Sequence, residues 1–177
     1  MEIEDLLSSP AHVLARLKAS NKKQALQDMA RRAAELSGLH ERAIFDVLLE
    51  RERLGTTGVG NGIAIPHGKL PEAKKMFGLF GRLETPIDFD AIDEQPVDLI
   101  FLLLAPEGAG ADHLKALARV SRLLRDRAIC EKLRGTDQAD ARQPSGIAQA
   151  SAQGHARGSQ QSTGRDERQR VERECPR

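Results

Sequence analysis

Residues Val97 to Leu104 read VDLIFLLL, and apart from Asp98 every one of them is apolar. A strand that faced water on one side would alternate apolar and polar residues. A run this continuous fits a central strand with both sheet faces covered. Such a strand needs helices above and below it, and the flanking sequence offers them. On the C-terminal side, Asp112 to Arg125 predicts a helix with Leu114, Leu117, Val120, Ser121 and Leu124 at helical spacing, and a shorter helix holds Ile129, Cys130 and Leu133. On the N-terminal side, Met76 to Glu84 predicts a further strand. Before it, two helices are expected. Ser20 or Asn21 caps the first, whose face is Ala25, Leu26, Met29, Ala30, Ala33 and Leu36 and whose end is Gly38. The second runs from Glu41 to Arg53, turns Ile44, Phe45, Val47, Leu48 and Leu54 inward, and stops before Gly55. From His12 to Ala19 the residues Val13, Ala15 and Leu17 alternate with Leu14, Arg16 and Lys18, which predicts a first, half-buried strand. The result is a layered α/β domain.

Composition narrows what such a domain does. Five Phe and no Tyr or Trp make the core aliphatic and leave no aromatic platform for nucleic-acid bases. A formal net charge of +1 with 30% charged residues gives no global field for a polyanion or an anionic membrane. Cys130 and Cys175, the two cysteines, fit no metal or disulfide spacing, and Cys130 is expected to be buried and inert. The start, MEIEDLLSS, has no basic region before an apolar stretch, and no run approaches the ~18 apolar residues of a membrane span. A cytoplasmic protein without membrane insertion and without nucleic-acid partners is expected.

Between the helical pair and the strands lies GTTGVGNGIAIPHGKLP, with glycines at 55, 58, 60, 62 and 68 around the short β-prone run Ile63 to Ile65. Pro66 fixes its own φ and biases Ile65 to extended geometry, and Gly68 is expected to turn the chain directly after His67. The imidazole is thereby presented at a strand end. Glycines 58, 60 and 62 are expected to let a phosphate or a partner surface approach the backbone. Nucleotide motifs do not fit. Position 63, five before the Gly68-Lys69 pair, is Ile and Leu70 is not Ser or Thr, so the P-loop fails, and neither Gly58-x-Gly60 nor Gly60-x-Gly62 has the third glycine of a dinucleotide fingerprint. A metal-dependent hydrolase built from His67, His113 and Asp112 lacks any ligand motif. His12, His40 and His155 are assigned to the surface.

TGVGNGIAIPHGKL resembles the signature of the mannitol/fructose-type IIA domains of the bacterial phosphoenolpyruvate-dependent phosphotransferase system. With LERERLGTTGVGNGIAIPHGKLPEA, LETPIDFDAIDEQPVDLIFLLLAP and DHLKALARVSRLL, the chain resembles the nitrogen-regulatory IIA branch over roughly residues 3 to 140. The resemblance implies a three-layer α/β/α single domain around a central mixed sheet. It also implies a phosphoryl carrier in which His67 accepts the group from a histidine phosphocarrier protein, through the ring nitrogen remote from the backbone. Arg51 matches an active-site arginine of that family and His113 a second histidine beside the first. Arg53 is the neighbour most easily mistaken for Arg51. Thr56 and Thr57 are candidate hydroxyl donors, and Asp112 must be committed to capping if it is not to repel a phosphate. No cofactor or metal is implied. Regulatory targets of this branch are proteins such as potassium transporters and sensor kinases. The alternatives are a sugar-specific IIA component and an interaction module of the same fold that is never phosphorylated.

The carrier domain is assigned to residues 1–140 and an atypical, disordered tail to 141–177. From Thr136 onward large apolar residues nearly vanish, and such a composition buries too little surface to offset chain entropy. A frayed helix near Asp166 to Glu174 is the exception expected. The family's closing helix is missing from this reading, as a shifted reading frame or a natural replacement after about Ala141 would produce.

Overall fold

The computed structural model describes residues 6, 7 and 9–135. The tail, its frayed helix, the closing helix and His155 lie outside the described residues.

A short 3-10 turn, Pro10–His12, leads into β1 (Val13–Leu17), followed by α1 (Lys22–Ser37) and α2 (Glu41–Arg53). Three short strands come next, β2 (Gly58–Gly60), β3 (Ile63–Ala64) and β4 (His67–Leu70), then the long β5 (Phe77–Ile87) and β6 (Val97–Pro106). A second 3-10 turn, Glu107–Ala109, enters α3 (Gly110–Leu124), and α4 (Arg127–Gly135) completes the described chain. The local signals behave as their chemistry requires. Asn21 accepts the Gln24 N–H at 2.9 Å and caps α1, and Gly38 closes it at φ 75° with its N–H on Ala34 O.

The six-stranded sheet has the order β1-β5-β6-β3-β2, with β4 also paired to β6. β5 runs antiparallel to β6, while β1 pairs parallel with β5, and β3 and β4 pair parallel with β6, so the sheet is mixed. β6 is central, as its apolar run requires. Ile100, Leu102 and Leu104 enter the core layer shared with α1 and α2, while Leu99, Phe101 and Leu103 enter the layer shared with α3 and α4. All six are 2% exposed or less, and full burial of such a side chain contributes roughly 1.5 to 3 kcal/mol. One strand therefore supports both helical layers.

Several side chains differ from expectation. Leu54 is 85% exposed, because it follows the last turn of α2 and leaves the apolar face. Leu114 is 67% exposed: Val120 and Leu124 face inward as expected, but in the first turns of α3 the buried residues are His113 and Ala116, one position before Leu114 and Leu117. His12 is buried, its Nδ1 2.7 Å from Gly78 O and its ring tilted against Phe77. A hydrogen bond to a strand carbonyl makes that burial tolerable. His40 is exposed as expected. Cys130 is buried on the inner face of α4, where desolvation raises its thiol pKa and its Sγ lies 3.1 Å from Leu124 O.

Gly68 does not turn the chain. It continues inside β4, and a Cβ there would meet Val47 Cγ1 at 2.9 Å, so the glycine lets α2 lie close on the strand. The interruption falls one step earlier, at Ile65-Pro66 between β3 and β4. Pro66 has no N–H to donate to β6, and its carbonyl instead takes the Leu103 N–H at 3.0 Å.

Candidate functional site

His67 is the first residue of β4, opposite Leu103 in the C-terminal half of β6. The break at Pro66 frees the Ile65 carbonyl from the ladder, and His67 Nδ1 lies 2.8 Å from it. A carbonyl only accepts, so Nδ1 carries the proton and Nε2 is left with a bare lone pair. Arg51, in the last turn of α2, sends Nε to that Nε2 at 3.0 Å. Its Nη1 is tied to Gly55 O at 2.9 Å, so the helix end itself fixes the guanidinium. His113, in the first turn of α3, brings its ring centroid to 5.7 Å from that of His67, at 52°. It is 6% exposed, and its Nε2 is buried with no hydrogen-bond partner among the described residues.

Both imidazoles are held neutral. Burial, first, and the Arg51 charge, second to it, push His67 below its ordinary pKa, against the opposing effects of the Ile65 hydrogen bond and the Glu52 charge. Burial likewise lowers His113, helped by His67 and by Lys69. Three nitrogen-bearing side chains thus converge, and among the described residues no carboxylate is hydrogen-bonded to any of them. An anion placed between them would satisfy the Arg51 guanidinium fork and the unpartnered His113 Nε2 at once.

The structure brings together the three residues named from sequence, His67, Arg51 and His113, and separates them from other candidates. Arg53 is exposed on the far side of the helix end. Asp112 does not cap α3: the helix begins at Gly110, and the Asp112 carboxylate pairs with Lys115 at 3.2 Å, exposed. Thr56 and Thr57 are committed elsewhere. The Thr56 hydroxyl donates to Phe89 O at 3.0 Å and the Thr57 hydroxyl to Glu52 at 2.6 Å. Among the described residues no three His, Cys, Asp or Glu side chains gather as a metal site would need. No helix there is long and apolar enough to cross a membrane.

The glycines also fall differently from expectation. A Cβ on Gly58 would meet Ala91 at 2.9 Å, one on Gly60 would meet Asp93, and one on Gly62 would meet Arg134 and Asp98. Gly60 and Gly62 have φ of 94° and 77°. These glycines admit the chain's own 91–98 segment and α4, with carboxylates in the space where a phosphate was expected. Glu52, buried behind Arg51, is the residue sequence reasoning missed. Its one signal is an acidic side chain in the last turn of a helix, where the dipole disfavours it.

The family described as "Phosphoenolpyruvate-dependent sugar phosphotransferase system, EIIA 2" matches residues 7–143. A nitrogen regulatory protein from Bradyrhizobium diazoefficiens is 64% identical over 141 residues, covering 80% of this chain and 92% of that protein. The nitrogen regulatory protein of Escherichia coli is 48% identical over 121 residues, 68% of this chain and 74% of the relative. The crystal structure of the nitrogen regulatory protein IIA-Ntr from Neisseria meningitidis superposes with a TM-score of 0.72 at 33% identity, covering 78% of this chain and 94% of that one. The mannitol IIA of Escherichia coli, at 22% identity and a TM-score of 0.62, shares the fold over 74% of this chain and 92% of its own. The mixed three-layer domain, the family match and the relatives agree: this chain belongs to the EIIA type-2 family of the phosphoenolpyruvate-dependent phosphotransferase system, in its nitrogen-regulatory IIA branch.

Proposed function

We propose that the 1–140 domain is a cytoplasmic phosphoryl carrier that accepts the group on His67 Nε2 from a histidine phosphocarrier protein and signals through its phosphorylation state. The observation that carries this reading is the locked tautomer: Nδ1–H on Ile65 O and a bare Nε2 under Arg51. A neutral imidazole is a nucleophile that needs no activating base. The Nε2 lone pair forms the new N–P bond as the donor's P–N bond breaks, and that electron pair returns to the donor ring. Arg51 exchanges Nε2 for phosphoryl oxygens as the group arrives, and the His113 ring supplies a further contact from the other side. Phosphoryl transfer needs mainly positioning and charge neutralisation, which these side chains provide. The Nδ1–H bond to Ile65 O then supports the positive charge left on the phosphorylated ring.

Regulation follows from charge. A phosphoryl group converts a cationic, partly exposed triad into an anionic surface, and protein targets of the class implied by the resemblance, such as potassium transporters or sensor kinases, would distinguish the two. The mannitol IIA of Escherichia coli has been solved in complex with its phosphorylated IIB protein, which places a phosphoprotein against a IIA of this fold. Incubation with phosphoenolpyruvate, the first enzyme of the relay and its phosphocarrier should give an acid-labile, alkali-stable phosphate that is lost in His67→Ala. A folded wild-type chain that stays unlabelled with a competent donor would leave only a docking module.

A further inference from the structure

Glu52 follows Arg51 in the last turn of α2 but turns into the protein, where its side chain is 4% exposed. A carboxylate at that depth persists only when paired and hydrogen-bonded. The Thr57 N–H donates to both of its oxygens at 3.0 and 3.1 Å, the Thr57 hydroxyl to Oε2 at 2.6 Å, and the Lys22 ammonium to Oε1 at 3.0 Å. Lys22 is itself anchored on Asp90 at 2.7 Å and Phe89 O at 3.3 Å, which ties the cluster to the 88–90 segment.

Two further hydrogen bonds lead from this cluster to the acceptor ring. The Ile65 N–H donates to Thr57 O at 2.9 Å, and His67 Nδ1–H donates to Ile65 O at 2.8 Å. At each link the donor stands on the His67 side and the acceptor on the Glu52 side. Each link crosses a Cα, so the series transmits position: Glu52 fixes Thr57, Thr57 fixes Ile65, and the Ile65 carbonyl receives Nδ1–H. The Glu52 charge is also felt at the ring, where it favours the protonated form.

We propose that Glu52 is a positioning residue for the acceptor: through Thr57 and Ile65 it holds His67 in the Nδ1–H tautomer and supports the positive charge the ring takes on when Nε2 is phosphorylated. This rests on His67 being the acceptor. Glu52 touches neither the ring nor the transferred group; no proton travels along the chain of bonds. Its role also accounts for a carboxylate at a helix C-terminus. The unfavourable dipole is offset by the Thr57 and Lys22 contacts, and in return the loop that follows the helix is fixed against β3.

The test uses the full chain labelled with 15N-histidine. Nitrogen shifts of His67 report its tautomer, and the rate of acceptance from the phosphorylated phosphocarrier is measured in parallel. Glu52→Gln keeps an acceptor for one Thr57 bond but removes the charge. It should give a mixture of His67 tautomers and a rate about tenfold lower, at the mild end of the ~10 to 100-fold range for outer-shell partners, with an unchanged circular dichroism spectrum. A folded Glu52→Gln protein with His67 wholly in the Nδ1–H form and a wild-type rate overturns the proposal. Should Glu52→Gln fail to fold, Thr57→Val, which deletes the hydroxyl bond to Glu52, is compared with Thr57→Ser, which keeps it. A tautomer shift and slowed acceptance in the Val variant, restored in the Ser variant, support the proposal, and wild-type behaviour in both overturns it. A wild-type chain that takes no phosphate from the donor refutes the acceptor assignment instead, while the tautomer measurement still decides whether Glu52 sets the ring.

Discussion

Gly62 and His67 lie five residues apart in one glycine-rich stretch, yet they do opposite work. Ile63 pairs with Leu99 and His67 with Leu103, so about 13 Å of β6, at ~3.3 Å per residue, separates the two ends. At the His67 end the backbone is interrupted by Pro66, and a released carbonyl holds an imidazole beside Arg51 and His113. At the Gly62 end left-handed backbone at Asn61 and Gly62 makes a tight turn, closed by the Arg134 bonds to Asn61 O and Asp98. Similar sequence thus yields a reactive end, where a polar group is left to bind something, and a closed end, where the space beside the glycines is taken by Asp93, Asp98 and Arg134. The contrast teaches that a glycine-rich loop marks close packing as readily as a phosphate cradle.

Substitutions at the two ends should separate chemistry from stability. The largest effect is expected for Arg51→Ala, which removes the donor that faces Nε2. Phosphoryl acceptance should slow about a hundredfold, in line with loss of a preorganised charge-stabilising donor, while Arg53→Ala stays at the wild-type rate. Equal rates in the two would reduce Arg51 to a helix-end cation. At the closed end, Gly62→Ala forces a side chain into left-handed backbone at a cost of roughly 1 to 2 kcal/mol, and its Cβ meets Arg134 Nη2 at 2.6 Å. Urea unfolding should report a loss of at least ~2 kcal/mol once that contact is added, with acceptance per folded molecule unchanged. A slowed rate at full stability would return the glycines to the site.

His113 sharpens the comparison within the reactive end. Its Nε2 is the uncommitted partner there, and His113→Ala should slow acceptance about tenfold, below the ~10² to 10⁴-fold of a proton-transfer group because it offers a polar contact and moves no proton. A smaller effect is expected from pH. Burial lowers the pKa of both His67 and His113, so below the ordinary ~6.5 of unfolded histidine the unfolded chain binds more protons than the folded one. Stability contributed by the neutral rings is complete above that value and declines as pH falls beneath it, until the folded rings protonate too. Urea midpoints between pH 7.5 and 5.5 should fall, and a midpoint that rises would contradict the burial of neutral rings.

The comparison also shows what the sequence discloses. The continuous run in β6 pointed to cover on both faces, and the helical patterns on either side of it supplied the two layers that Leu99 to Leu104 enter. His67, Arg51 and His113 were legible through resemblance, and the structure brings them to one place. Other features depended on three-dimensional packing that linear patterns do not carry. Leu114 matches helical spacing as well as His113 does, and only the seating of α3 on the sheet selects between them. Gly68 reads as a turn until Val47 is seen against it. Glu52 looks like Glu50 in the alternating Glu50-Arg51-Glu52-Arg53 run, and its partners Lys22 and Thr57 become neighbours only when α1 and the loop fold around it.

The central claim, that the proton on Nδ1 commits Nε2 to the chemistry, is tested most directly by nitrogen and phosphorus NMR of the phosphorylated chain labelled with 15N-histidine. The account predicts coupling to 31P at Nε2 of His67, with Nδ1 still protonated. Coupling at Nδ1 of His67, or at any other histidine, would contradict it.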